Sequence, residues 1–426
     1  MGSLTITAPT SPLHATIALP RSKSAANRAL IIASLLGDVD LVHDPGDGDD
    51  TRILLEHLRE RGAVMHCGAG ATTFRFLLAW ACCQPGEERL ITGAPRLLER
   101  PHDDLVAALR KLGADITADD AGYRVRGRQL HGGKVHFDSP ISSQYLSALL
   151  LIAPLMTEGL SMRWTGTRLS EPYVHMTLKV MAHFGVYPFM ELDGVRVPPA
   201  PYRAASYVVP ADWSAAAFWY ELVALSPGAE VFLEGLEDDT LQGDRHAKHL
   251  WEPWVSTVFE TDGTQRPKAG VLAAETQRRK GAFGARLTHR TEPLAQSADL
   301  VQLRNHPDLF QPLACTCAAL GQDAAFTGLD NLRVKETDRI LAITEVLQRM
   351  GCTVEQEGGN FQVSGRASTN PGPFDPQGDH RMALALAPLC LVVGPLTVLD
   401  PAVVNKSYPG FWEDLRKAGF GVLLHA

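Results

Sequence analysis

The chain has 426 residues, of which 45% are hydrophobic and 21% charged, and its formal net charge is −8 at pH 7. That length exceeds one ordinary core, so two or more domains are expected in a soluble globular protein. The acidic balance argues against nucleic acid as the main partner, and no apolar run reaches the roughly 20 residues of a membrane span.

The first informative segment is Pro20-Arg21-Ser22-Lys23-Ser24-Ala25-Ala26-Asn27-Arg28. It opens a helix that is apolar nearly all round, the mark of a buried helix, with Ser22 placed to cap it. Lys23, Ser24 and Arg28 put cations and a hydroxyl at that opening, without the GxxxxGK[ST] of a Walker A loop. An amphipathic stretch, Leu54 to Arg61, follows and closes on Gly62, a helix C-cap signal. The small-residue loop Gly68–Arg75 enters a second apolar helix. It lacks G-x-G-x-x-G, and its small residues would let a ligand approach the backbone closely. Arg96 and Arg100 lie in a turn before the amphipathic Leu105–Leu112, as a surface loop or an anion clamp. Ser142-Ser143-Gln144 opens a third apolar helix, and Ser170-Glu171-Pro172-Tyr173 precedes the amphipathic Met176–Phe184. Asp212-Trp213-Ser214 opens a fourth.

The stretch Asp238–Leu287, with Trp251, Trp254 and the basic Arg278-Arg279-Lys280, fits no pattern. Pro307-Asp308 opens a fifth apolar helix, where an acid at the cap is favoured by the helix dipole. In Asn331–Arg339 the following Ile340, Ile343, Leu347 and Met350 recur at helical spacing and Gly351 ends the run. Lys335 and Arg339 are thereby placed in the opening turns, facing the positive end of the macrodipole and each other. Each effect costs about 0.3–1 kcal/mol, which a solvated surface tolerates and a bound polyanion would resolve. Asp379-His380-Arg381 opens a sixth apolar helix, and Arg381 would be expensive to bury without a partner or ligand. Lys406, in Asn405-Lys406-Ser407-Tyr408-Pro409, is the least distinctive cation.

Spacing makes these segments a repeat. Ala71 to Ser142 is 71 residues, Ser142 to Asp212 is 70, and Asp308 to Gly378 is 70. Six α/β units over two domains are expected, each with one buried and one amphipathic helix. If the buried helices run parallel, Lys23, Ser24, Arg28, Ser142, Ser143, Gln144, Asp308, His380 and Arg381 gather at their N-termini. Such a surface binds anions. Seven cysteines without C-x-x-C spacing read as reduced, mostly buried thiols of a cytoplasmic protein. The N-terminus, Met1 to Thr5, shows no secretory signal. No metal-ligand spacing or Ser-His-Asp arrangement is legible, so metal-free chemistry without cofactors, run on Lys, Asp, Glu and Arg, is expected.

Taken in order, Ser22–Arg28, Arg96–Pro101, Ser142–Leu149, Ser170–Tyr173, Asn331–Arg339, Asp379–Met382 and Lys406–Pro409 resemble the enolpyruvyl transferases. Within that family the resemblance is to the 5-enolpyruvylshikimate-3-phosphate synthases. It implies two inside-out α/β domains, each of three repeated βαβαββ-type units: residues 1–20 plus 212–426, and residues 21–211, with the active-site cleft between them. It further implies addition of the 5-hydroxyl of shikimate 3-phosphate to phosphoenolpyruvate and elimination of phosphate. By resemblance, shikimate 3-phosphate falls to Lys23, Ser24, Arg28, Ser142, Ser143, Gln144, Ser170, Tyr173, Asp308, Asn331 and Lys335. Phosphoenolpyruvate falls to Lys23, Ala71, Arg100, Gln144, Arg339, Arg381 and Lys406. Asp308, Glu336 and Lys23 are the expected proton-transfer groups, in a monomer that closes on its substrate. Glyphosate-sensitive relatives usually read Asn-Ala-Gly-Thr where this chain has Ala69-Gly70-Ala71-Thr72, which puts a methyl beside the phosphoenolpyruvate site. Glu171 and Phe76 also depart, from a common Lys and a common Pro. The rival readings are the sister enzyme acting on UDP-N-acetylglucosamine, which usually has a cysteine where Ala94–Pro101 has none, and a non-catalytic anion binder.

Overall fold

A computed structural model describes residues 2–166, 170–238, 241–260, 283–294 and 300–425. The chain forms two compact units, one of Met1–Pro20 with Pro210–Ala426 and one of Arg21–Val209.

In the Arg21–Val209 unit, Val64–His66 pairs in parallel with Glu88–Thr92, and Asp115–Asp119 and Gly122–Arg126 add an antiparallel hairpin. The pattern recurs with Gly133–Asp138 parallel to Leu160–Thr165, followed by the hairpin Phe189–Glu191 and Gly194–Val197. A shorter version pairs Val42–His43 with Tyr207–Val208 in parallel. A parallel pair needs a crossover, and here the crossovers are the apolar helices Ala71–Cys82 and Ser143–Ile152. With Lys23–Leu35 they pack against one another as an inner layer, nearly every residue buried. Asp49–Glu60, Asp103–Lys111 and Glu171–His183 each bury only part of their surface, as amphipathic helices do.

The other unit repeats the design. His14–Ala18 runs parallel to Glu230–Glu234, and Val301–Gln302 to Ala324–Thr327, each pair followed by two antiparallel strands. Phe374 makes a parallel bridge to Val398, and Ser3–Thr7 joins Leu396–Leu399 to Gly421–His425. The inner helices are Trp213–Leu225, Phe310–Leu320 and His380–Leu386. Among the described residues the parallel contact thus recurs six times, in agreement with the repeat read from spacing. The stretch that fitted no pattern supplies a full repeat's second half: the helical turns Gly243–His246 and Ala247–Leu250, then strands Val255–Glu260 and Gly284–His289. Its basic run Arg278-Arg279-Lys280 lies outside the described residues.

Three local expectations are corrected. Gly113, Gly185, Gly351 and Gly419 do take positive φ after their helices, but after Asp49–Glu60 it is Arg61, not Gly62, that turns left-handed, at φ 51°. Its guanidinium lies 5.6 Å from the Trp80 ring centroid and reaches Ser34 O at 3.4 Å, contacts that hold a backbone Arg rarely adopts. Asp308 does not cap a helix. It sits inside the 3-10 turn Pro307–Leu309 and turns its carboxylate to cations. Lys335 is not in a helix either. Asp330–Val334 is a 3-10 turn, Lys335 is extended, and the helix begins at Arg339 behind an Asp338 cap that accepts from Ile340 N and Leu341 N. The acid at the cap offsets the dipole that Arg339 faces, so the supposed repulsion between Lys335 and Arg339 along one helix does not arise.

One core group stands out. Glu221 is fully buried midway along Trp213–Leu225, and neither carboxylate oxygen has a hydrogen-bond partner among the described residues. Burial pushes its carboxyl well above the ordinary value of 4.5, so it folds as the neutral acid. The folded state therefore keeps a proton that the unfolded chain loses, and stability falls as pH rises from the ordinary value toward the raised one. Glu221→Gln removes this loss. Its stability relative to wild type should climb between pH 5 and pH 8, by up to about 1.4 kcal/mol per pH unit, in urea titrations across that range. A constant difference between the two proteins would contradict a neutral buried acid.

Candidate active site

Two clusters form where the polar N-termini of inner helices meet, one in each unit. In the Arg21–Val209 unit the hub is Arg75, a buried residue of the Ala71–Cys82 helix. Its guanidinium donates to Gln144 Oε1 at 2.5 Å, to the Ser142 hydroxyl at 3.4 Å and to Pro101 O at 3.1 Å, and stacks 5.0 Å over Tyr145. Gln144 returns a hydrogen bond to Thr72 at 2.9 Å, and Tyr145 also donates to Pro101 O, at 2.6 Å. The loop carrying Arg100 is thereby tied to the starts of two inner helices. Ser142 caps its own helix through Gln144 N, and Ser143 is buried beside it.

Lys23 pairs with buried Asp50 at 2.9 Å, and Thr73 donates to Asp50 O at 2.7 Å. A methyl on Gly70 would come 2.7 Å from Asp50 Oδ1, so a side chain there would force that carboxylate to shift. Ala71 is the first residue of the helix and buried. Arg28, 2% exposed, donates to Ser24 O, Thr177 Oγ1, Ser147 Oγ and Tyr173 O at 2.7–3.2 Å and lies 5.4 Å over Phe76. Burial pulls its guanidinium down to about 10, so it remains a cation at neutral pH. Phe76, the departure from proline, is thus an aromatic floor for Arg28. Ser170 takes a left-handed φ of 55° without capping its helix, a strained backbone of the sort found at ligand clamps.

In the other unit the hub is Arg339, 2% exposed. Nε donates to Asp379 Oδ2 at 2.6 Å, Nη1 to Asp308 Oδ1 at 2.9 Å, and Nη2 to Glu336 Oε2 at 3.2 Å and Asp379 Oδ1 at 3.3 Å. Arg381 reaches Asp308 Oδ2 at 3.1 Å and its backbone O at 3.2 Å, Lys335 Nζ stands 4.0 Å from Asp308, and Lys406 Nζ lies 2.6 Å from Glu336 Oε1. Burial raises the Asp308 carboxyl, but Arg381, Lys335 and Arg339 outweigh it and hold the group well below the usual carboxylate range. Arg339 is the converse: burial opposes its charge, and Asp379, Glu336 and Asp308 raise its proton affinity further. Asn331 is buried with Oδ1 unpartnered among the described residues.

The structure therefore brings Lys23, Ser24, Arg28, Ala71, Arg100, Ser142, Ser143, Gln144, Ser170 and Tyr173 into one unit. Asp308, Asn331, Lys335, Glu336, Arg339, Arg381 and Lys406 belong to the other. Sequence reasoning missed Asp50, Arg75 and the organising role of Asp379. Asp50 closes an acidic run at a helix start, where an acid needs no partner to be explained. Arg75 is one Arg in an apolar helix, and its burial was the available signal.

The comparisons with known proteins are of one kind. A family model described as EPSP synthase (3-phosphoshikimate 1-carboxyvinyltransferase) matches residues 7–66 and 60–415. A curated 3-phosphoshikimate 1-carboxyvinyltransferase of Bacteroides fragilis is 37% identical, over 97% of each chain. The protein of that name from Methanoculleus marisnigri is 31% identical, over 96% of this chain and 98% of its own. Among solved structures, an EPSP synthase from Acinetobacter baumannii superposes with a TM-score of 0.75 at 22% identity, covering 100% of both chains. The enolpyruvyl transferase NikO from Streptomyces tendae gives 0.70 at 12% identity, over 100% of this chain and 99% of that one. At those identities the likeness is one of fold.

Asp379 both caps its helix, accepting from Arg381 N at 2.9 Å, and holds Arg339 through two oxygens. Asp379→Ala should destabilise the protein by about 3–5 kcal/mol, read as a lower urea midpoint, with Asp379→Asn losing less because it keeps the cap. An unchanged midpoint in the Ala variant would show that Arg339 does not depend on Asp379.

Proposed function

The chain belongs to the EPSP synthase family, and from that premise we infer how its two clusters divide the work of enolpyruvyl transfer. The reaction moves the enolpyruvyl group of phosphoenolpyruvate to the 5-hydroxyl of shikimate 3-phosphate and releases phosphate. Both substrates carry a phosphate and a carboxylate, and both clusters offer cations and helix N-termini, which suit such groups. Shikimate 3-phosphate is assigned to Lys23, Ser24, Arg28, Ser142, Ser143, Gln144, Ser170, Tyr173, Asp308, Asn331 and Lys335. Phosphoenolpyruvate is assigned to Lys23, Ala71, Arg100, Gln144, Arg339, Arg381 and Lys406.

The observation that carries the reading is the grip of Arg339, Arg381 and Lys335 on Asp308, beside the Glu336–Lys406 pair. An arriving anion competes with Asp308 and Glu336 for these cations. As the cations turn to substrate, Asp308 regains proton affinity, which is what a base needs. Asp308 then takes the proton of the 5-hydroxyl as that oxygen adds to C2 of phosphoenolpyruvate. Glu336 and Lys23 are the candidates for giving a proton to the methylene carbon and removing one as phosphate leaves, while the cations stabilise the developing charge. A cytoplasmic monomer is the setting we assign, and seven free thiols, six of them buried, suit a reducing compartment.

Asp308→Ala and Glu336→Gln should each lower turnover roughly 10²–10⁴-fold with normal far-UV circular dichroism. Phosphate release from phosphoenolpyruvate should require shikimate 3-phosphate and not respond to UDP-N-acetylglucosamine. Near-wild-type turnover in both variants would remove these residues from the mechanism, and the reverse acceptor preference would point to the sister enzyme.

The Ala71 methyl, at the helix start beside Gly70, should narrow the phosphoenolpyruvate site against the longer inhibitor glyphosate. Wild type should therefore need more glyphosate for half-inhibition than Ala71→Gly. Equal inhibition of the two would dismiss the steric argument.

A further inference from the structure

The cluster around Arg339 is not charge-balanced by the carboxylates described so far. Four cations, Lys335, Arg339, Arg381 and Lys406, face three acids, Asp308, Glu336 and Asp379. A fourth acid lies behind them. Asp244 is fully buried in the turn Gly243–His246, and its charge is felt with those of Asp308 and Arg381. The His246 ring stacks on His306 at 4.6 Å, which pins this turn to the segment that leads into Asp308. Both imidazoles are held neutral, His306 at about 4, chiefly by burial, so neither supplies a countercharge at physiological pH.

Asp244 accepts a short hydrogen bond from Ser214 on one oxygen, while Oδ1 has no partner among the described residues. Ser214 is itself fixed: Asp212 Oδ1 accepts from its backbone N at 2.9 Å, and Gln242 donates to both Asp212 Oδ1 and the Ser214 hydroxyl at 2.7 and 3.0 Å. The charged groups that bear on Asp244 include Asp308, Arg381 and Asp212. One carboxylate oxygen without a donor, in a buried site shared with a second carboxylate, is a place for a proton.

We propose that Asp244 is the proton store of this cluster, taking up a proton when a phosphate- and carboxylate-bearing substrate engages Arg381 and its neighbouring cations. Protonation takes one negative charge out of the cluster, which is the change an entering anion favours. The direction follows from the free enzyme. Burial, then the charge of Asp308, lifts the Asp244 carboxyl to about 7, against the pull of Arg381 and Ser214. A bound anion adds negative charge and occupies Arg381, and both effects raise proton affinity further. Asp244 touches no reacting atom in this scheme; it is a positioning residue that matches the charge of the site to its ligand.

The proposal rests on the enolpyruvyl-transfer reading, and calorimetric titration of the full chain with phosphoenolpyruvate, the substrate assigned to Arg381, at pH 8 tests it. At that pH the substrate phosphate is already dianionic, its second pKa being about 6. Binding heats in two buffers of different ionisation enthalpy should show uptake of up to about one proton per site. Asp244→Asn should bind with clearly less uptake. Ser214→Ala removes the hydroxyl that holds the carboxyl down, so the pH midpoint of uptake should move upward. No uptake by wild type, or equal uptake by Asp244→Asn, overturns the proposal. Should the Asn variant not fold, an unmoved midpoint in Ser214→Ala does the same. If wild type neither binds phosphoenolpyruvate nor turns over, the enolpyruvyl-transfer reading falls as well. Normal binding and turnover with Asp244-independent uptake removes only the proton store.

Discussion

A buried guanidinium has to be paired, and the Arg339 side chain meets that demand with three carboxylates from three segments of chain. Those segments are the start of Phe310–Leu320, the turn before Arg339 and the cap of His380–Leu386. Removing any one carboxylate leaves charge uncompensated in a low dielectric, so the three chain segments are held together by electrostatics as well as by packing. The same pairing keeps Asp308 ionised and weakly basic, because Arg381, Lys335 and Arg339 outweigh the effect of burial.

The fold places that network without dedicated scaffolding. The inner helices Ala71–Cys82, Ser143–Ile152, Trp213–Leu225 and Phe310–Leu320 each lie between the members of a parallel strand pair that two antiparallel strands close. Since a helix leaves its first backbone N–H groups without intrahelical partners, the starts of inner helices need polar company. Ser22, Ser142, Asp212 and Asp379 meet that need as caps, Asp338 does the same for Arg339–Arg349, and the residues just after them carry the cations and hydroxyls of the clusters. Helix capping and the two polar clusters therefore use the same short stretches of sequence. In the Arg21–Val209 unit the equivalent hub, Arg75, donates to an amide, a hydroxyl and a carbonyl.

Where sequence reasoning went wrong, a competing local interaction had won. Helical periodicity from Ile340 onward suggested that the helix took in Lys335, but Asp338 offers its carboxylate to Ile340 N and Leu341 N and starts the helix at Arg339. Asp308 was reasonable as a cap by type and position, yet three cations compete for it more strongly than a backbone N–H. Gly62 was the obvious left-handed residue, and Arg61 took the role because Trp80 and Ser34 O hold its side chain. Among its described residues Asp238–Leu287 is helical only in two short turns, too brief for periodicity to register.

The amino-acid sequence by itself determined the six buried helices, their polar openings, the near-70-residue period and the family, because apolar periodicity and capping chemistry are local and repeat along the chain. Tertiary structure alone decided which charges meet. Arg339 finds Asp379 40 residues away, Arg28 finds Ser147 119 residues away, and Lys23 finds Asp50 27 residues away. Coulombic and hydrogen-bond partners are chosen by distance in space, which no spacing rule along a helix encodes. That is why Asp50, Arg75 and Asp244 were silent in the sequence and became central once the chain was folded.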